Sequence, residues 1–442
     1  VSDIAYTPRR SINTYAYIGV TLLITLAGIL EVSARGRVFP YVDDWWYVSP
    51  FTRGWGWDLW TYMFQLHNDH RIPIQKLIHA VVLWCTGYDF RALVALNFLV
   101  AGSASVFLIL AVKNHRGYSS LGDLIIPALL CIFGASWTFI GFNFQFLSCI
   151  FCACLFLYFI SLYELRGQQA YMAAALWVMF ACSWCGMNGV VISLVCITGV
   201  GFHIYCNRRN FGMPVYVAWG MAIASCIIVI ALWKPSPVSD QQATLRQFLL
   251  FSWEMSSGSL SAWASPHRAL KWIAIALLCA GGLSIYVHKR VYRSPFGMAV
   301  GTVWLASFVL IAAVAKGRAG SANWDQGYDG HYGYLTVLIP VLSWIALSTS
   351  QRATRSTALF VAAFFGAAAI YNYVWRVDLA KYQAPMFAVV QQAIASRVPS
   401  RQIVDDNFDS FYTNDNREAL KKHLGDLIDL LRSHGGKWYG RQ

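Results

Sequence analysis

Apolar runs of about the length that crosses a bilayer recur along this chain, separated by short polar turns. They are centred on 15–34, 91–112, 121–140, 143–163, 170–186, 188–206, 213–233, 269–287, 297–315, 331–349 and 357–375, which predicts eleven crossings. The runs are continuous rather than alternating, which argues against a membrane β-barrel. The stretch 73–88 is apolar but short, and His79 and Gly87 interrupt it. It reads as a helix lying along the membrane surface. Beyond residue 376 the pattern changes, with acids and bases mixed and few long apolar runs. Within it, Leu420, Leu424, Leu427, Ile428 and Leu431 fall on one side of an amphipathic helix. That helix suits either a small cap or a membrane surface. The expected fold is all-α: a polytopic transmembrane bundle over 1–375 and a small, mostly helical tail over 376–442.

Charge gives the bundle a direction. Only 12% of the 442 residues are charged and 57% are hydrophobic, against about 25% charge in a soluble domain. With the N-terminus in the cytoplasm, every cytoplasmic turn carries a base: Arg9 and Arg10, Lys113 and Arg116, Arg166, Arg208 and Arg209, Lys289, Arg290 and Arg293, Arg352 and Arg355. A crossing at 73–88 would reverse all later turns and destroy this agreement. The loops 35–90, 234–268 and 316–330 and the tail are therefore expected outside. Topology also explains the net charge of +13, so nucleic acid is not an expected partner. The first span follows Arg9 and Arg10 without a small-residue cleavage site and reads as a retained helix. All 11 cysteines, the Cys182–Cys185 CxxC included, fall in or beside apolar runs and read as small membrane-embedded hydrophobes.

Candidate chemistry gathers in the outer loops. Asp43 and Asp44 follow the first span in FPYVDDWWYVSP. A carboxylate pair there can activate a hydroxyl at the membrane surface, and burial or a nearby cation would tune its pKa. The plainer alternative is an acidic turn paired with Arg35, Arg37 or Arg53. Next comes QLHNDHRIP, where His70 and Arg71 suit an anionic group. His67, Asp69 and His70 match no strong metal motif. Later loops add Arg246, Glu254, His267 and Arg268, then Lys316, Arg318, Asp325, Asp329 and His331. Lys316 and Arg318 run against the positive-inside trend, which an anionic lipid phosphate or interfacial anchoring would explain. Asn143, Gln145 and Asn188 sit in apolar context and fit helix packing or a cavity lining. No G-x-x-x-x-G-K-[ST] loop is present.

Asp43–Asp44, His70–Arg71, GFNFQF, GMNG and HYGYLTVLIPVL occur in an order that resembles the GT-C superfamily of polytopic glycosyltransferases. More narrowly, the chain resembles bacterial inner-membrane enzymes that use polyprenyl-phosphate sugars to modify O-antigen or other surface polysaccharides. The resemblance implies sugar transfer at the extracytoplasmic face, usually with inversion, to a glycan or lipid-linked acceptor. A first-loop acid would be the base. Asp44, nearer the aromatic segment, is the first choice and Asp43 the second. Basic outer-loop residues would hold the departing lipid phosphate. His331 stands before Tyr332 where related sequences often have Arg, which leaves Lys316, Arg318, His331 and Arg268 as candidate ligands. A divalent cation, Mg2+ or Mn2+, could join Asp43 or Asp44 to the phosphate. A transporter or flippase would instead predict carboxylates at mid-membrane and broken helices. A ligase or phosphotransferase would pass on a whole lipid-linked unit.

Overall fold

The computed structural model describes residues 14–48, 57–67, 71–132, 140–234, 243–258, 294–320, 330–349, 355–411, 417–434 and 439. All regular elements among them are helical. The first is α1, Thr14–Arg35; α2, Trp57–Phe64, and α3, Pro73–Thr86, lie in the first loop. The bundle continues with α4, Arg91–Arg116; α5, Phe144–Arg166; α6, Gln169–Ser183; α7, Met187–Cys206; and α8, Met213–Ala231. Then come α9, Leu245–Gly258; α10, Pro295–Arg318; α11, Gly330–Thr336; and α12, Leu338–Thr349. The chain closes with α13, Arg355–Ala395; α14, Ser400–Asn407; and α15, Arg417–His434.

Six of these helices are long and apolar enough to cross a membrane: α1, α4, α5 with the turn before it, α7, α8 and α10. The chain is a polytopic helical membrane protein. The remaining expected spans differ in form. α6 has 15 residues, or about 22 Å, short of a hydrocarbon core of about 30 Å. The expected span 121–140 begins as a 3-10 turn, a three-residue α segment and a π turn over Leu121–Ile132. Pro127 lies at the junction and has no N–H to continue the α ladder. Residues 133–139 and the expected span 269–287 lie outside the described residues.

α4 packs between α1 and α5, α6 lies on α5 and α8, and α7 lies against α10. Close approach needs small residues. A Cβ on Gly28 of α1 would stand 2.3 Å from the Phe98 ring of α4. Two hydroxyls of α1 are satisfied within their own helix: Thr21 donates to the Tyr17 carbonyl at 2.8 Å and Thr25 to the Thr21 carbonyl at 2.9 Å.

Among the described residues two large apolar cores result, beside a small cluster of Val32, Val94 and Phe98 between α1 and α4. One fills the bundle between its spanning helices. The second joins the first loop to the tail, and Phe142 touches both. α13 has 41 residues, about 60 Å of helix, so it outruns the apolar layer. Its last turns put Phe387, Val390 and Ile394 into the second core. The expected boundary at 375/376 falls inside this helix. α15 buries Leu424, Leu427, Ile428 and Leu431, with Leu420 packed beside them, on the face that the sequence pattern marks out. Arg432 of α15 donates to the carbonyls of Ile394 and Val398 at 3.2 and 2.8 Å. It thereby satisfies the end of α13.

Polar side-chain pairs tie the other end of the bundle together. His115 and Arg116 end α4 and pair with Glu164 and Asp123. Glu164 also accepts the Phe296 N–H that opens α10, at 2.8 Å. Arg116 reaches Ser348 of α12 at 3.0 Å.

Candidate functional site

Asp43 and Asp44 lie in a 3-10 turn, Val42–Tyr47, in the loop that follows α1. The two side chains part at once. Asp44 is buried, at 2% exposure, and Asp43 is half-buried. Asp44 accepts the N–H of Gly141 at 3.1 Å on one oxygen and that of Phe142 at 2.7 Å on the other. Those N–H groups belong to the turn Gly141–Asn143 that opens α5. A helix start leaves N–H groups without partners and carries partial positive charge, so a carboxylate fits it. Two sequence motifs, the aspartate pair and GFNFQF, thus meet through one side chain. Gly141 permits the contact, since a Cβ there would stand 2.7 Å from the Leu93 Cβ and 3.1 Å from the Asp44 oxygen.

Burial pushes the Asp44 carboxyl up to about 7, against the pull of Arg37 and of the two N–H groups. Asp43 adds to the rise by its negative charge. Arg37 is itself buried, at 8% exposure. Its guanidinium lies 4.0 Å from the centre of the Tyr41 ring and 4.6 Å from that of Phe387. Burial lowers it to about 10, with Asp44 opposing.

α3 supplies a polar face at helical spacing: Gln75, Lys76 and His79, all buried. Gln75 donates to the Tyr47 hydroxyl at 2.7 Å and to the Phe142 carbonyl at 3.0 Å, joining the aspartate turn to the start of α5. Lys76 donates to the carbonyls of Tyr62 and Gln65 at 2.9 and 2.7 Å. Arg71 donates to the Phe64 carbonyl and, at 3.0 Å, to Leu232 beyond α8. The two cations together close the C-terminus of α2. Burial, then the charge of Arg71, lowers Lys76 to about 8. His79 sits edge-on to Tyr47 at 4.5 Å, and burial lowers it to about 3, so it is neutral. Lys76 and Gln75 are missing from the sequence-based site, although polar residues at helical spacing inside a short apolar helix are a readable signal.

The other expected residues fall in several places. His67 is buried among the rings of Trp46, Tyr47 and Phe142. His70 and Arg268 lie outside the described residues, as do Asp69, His267, Asp325 and Asp329. Lys316 and Arg318 occupy the last turn of α10, the first exposed and the second half-buried. Tyr332 in α11 meets Phe251 of α9 edge-on at 5.6 Å. His331 follows Gly330 in the first turn of α11, and its side chain lies outside the described residues. α11 packs on α5, the helix that Asp44 anchors. Asn143 and Gln145 are buried at the start of α5, and Asn188 at the start of α7.

Among the described residues no three His, Cys, Asp or Glu side chains are arranged to hold a metal ion. Chemically, the turn offers one carboxylate bound by N–H groups, a second that is half-buried, and a guanidinium beside them. No known protein family matches the chain, and no curated protein matches its sequence.

Proposed function

We propose that the chain is a GT-C-type glycosyltransferase. It moves a sugar from a polyprenyl-phosphate donor to a hydroxyl of a surface glycan or lipid-linked acceptor. The supporting observation is the split aspartate turn beside Arg37, just past the first spanning helix. Asp44 has each oxygen on a backbone N–H. That favours a holding role for Asp44 and gives Asp43 the role of base. This reverses the order suggested by the aromatic segment alone.

In this reading Asp43 takes the proton of the acceptor hydroxyl as its oxygen attacks the anomeric carbon. The bond to the lipid phosphate breaks on the opposite side, the phosphate keeps the electron pair, and the carbon inverts. Basic groups of the outer loops stabilise the departing charge, with Lys316, Arg318, Arg268, His70 and His331 as candidates. Arg71 contributes less, because two protein carbonyls already engage it. No step is routed through a cation. The reading carries eleven crossings in a bacterial inner membrane, a cytoplasmic N-terminus, and the aspartate turn and tail outside.

Transfer from a labelled polyprenyl-phosphate sugar to acceptor, in lipid nanodiscs, tests it. Asp43→Asn should lower the rate by about 100-fold or more, the usual worth of a general base, without shifting thermal stability. Retained transfer in that variant would remove Asp43 from the chemistry. Substrate crossing a sealed vesicle with no glycosidic product would favour transport. A product gaining a whole oligomer or a phosphate would favour a ligase or phosphotransferase.

A further inference from the structure

The turn that carries the aspartates is strained and is gripped from the far end of the chain. Val42 has φ 51, in the left-handed region that a β-branched residue avoids. Its N–H donates to the carbonyl of Phe411, 3.0 Å away. Phe411 also packs its ring against Phe39 and Trp45, with centres 5.4 and 5.7 Å apart. Phe387 meets Phe39 and Tyr41 edge-on, both at 6.0 Å, and covers the Arg37 guanidinium. The Tyr439 hydroxyl lies 2.9 Å from the Val38 carbonyl and 3.1 Å from that of Tyr88. The tail therefore touches the chain on both sides of Asp43 and Asp44. Strain of this kind persists only where surrounding contacts overrule it. Within the turn, the Asp44 N–H reaches the Tyr41 carbonyl at 3.0 Å.

We propose that the C-terminal tail is a positioning element of the aspartate site: Phe411 holds Val42 in its strained turn and Phe387 holds Arg37 beside it. Released from the tail, Val42 relaxes toward negative φ and turns Asp43 away from its working direction. Phe387 and Phe411 are positioning residues and touch no reacting atom. The consequence for turnover rests on the glycosyltransferase reading; the consequence for the turn does not.

Phe387→Leu and Phe411→Leu keep apolar bulk and remove the rings. Amide exchange of the intact protein in nanodiscs should quicken at least tenfold over 42–44 and stay unchanged within α5. Turnover should fall about tenfold with KM nearly constant, since small misplacements act on the chemical step. Val42→Gly removes the conformational penalty, so adding it to Phe411→Leu should restore much of the turnover. A purely structural tail would not be rescued by a glycine at position 42. Two separate leucine variants keep the test open if one fails to fold. Unchanged exchange at 42–44 in both, or no rescue by Val42→Gly, would overturn the proposal. A wild-type protein without transfer activity would sink the enzymatic reading alone, leaving exchange to decide the tail.

Discussion

The two ends of the bundle both bury charge, and they handle it differently. At the end where α4 and α5 finish, cation meets anion in Arg116 with Asp123, and the His115 ring nitrogen lies 2.7 Å from a Glu164 oxygen. Spare oxygens there go to a helix start and a cap, as with the Phe296 N–H on Glu164 and the Ser120 N–H on Asp123. At the aspartate end Arg91 pairs with Asp89 at the start of α4, but around Asp44 the partners are chiefly dipoles and rings. Asp44 rests on two N–H groups, Lys76 on two carbonyls, and Arg37 against two aromatic faces. Opposite charges in contact lock elements together. Dipoles hold a group in place while burial moves its proton affinity, as the rise of Asp44 to about 7 illustrates. Such groups concentrate where chemistry is done.

Substitutions can break that contrast. Asp123→Ala leaves the buried Arg116 without its anion and should cost about 3–5 kcal/mol of stability. Thermal unfolding in detergent would show it, and the protein that remains folded should keep its turnover. At the other end Asp44→Asn aims an amide N–H2 at one of the two backbone donors. It should cost about 1–3 kcal/mol, the range for an unsatisfied buried polar group. If both substitutions destabilised equally and both spared turnover, the two ends would be alike.

A pH series sharpens the same point. The folded Asp44 titrates near 7, above its unfolded value near 4. The native state therefore binds the extra proton between these values. The Asp44 contribution to stability is fully present below about 4 and is lost as pH rises to about 7. His79 acts oppositely: its folded value near 3 makes its contribution vanish as pH falls from about 6.5. Thermal midpoints from pH 4 to 8 should show the Asp44 slope as the difference between wild type and Asp44→Asn. A flat difference would place that carboxyl in a wetter setting.

The least perturbing experiment uses native thiols. Cys85, in α3 beside the aspartate turn, and Cys206, at the far end of α7, are both exposed. An impermeant maleimide on intact cells, read by peptide mapping, should label Cys85 and spare Cys206. The reverse pattern would turn the proposed topology over.

Much of this was readable in one dimension. Hydropathy marks the six long helices, because a residue's preference for lipid is local and sums along a run. The spacing of Leu424, Leu427, Ile428 and Leu431 marks the buried face of α15 for the same reason. The sequence also placed an acid pair just past the first span. It could not show that Asp44 is held by backbone N–H groups while Asp43 is only half-buried, because those N–H groups lie 97 and 98 residues away. Nor could it show Lys76 and Arg71 closing α2, or the tail gripping Val42. Those contacts depend on which helix ends come to one place, and packing decides that across distances no local pattern encodes.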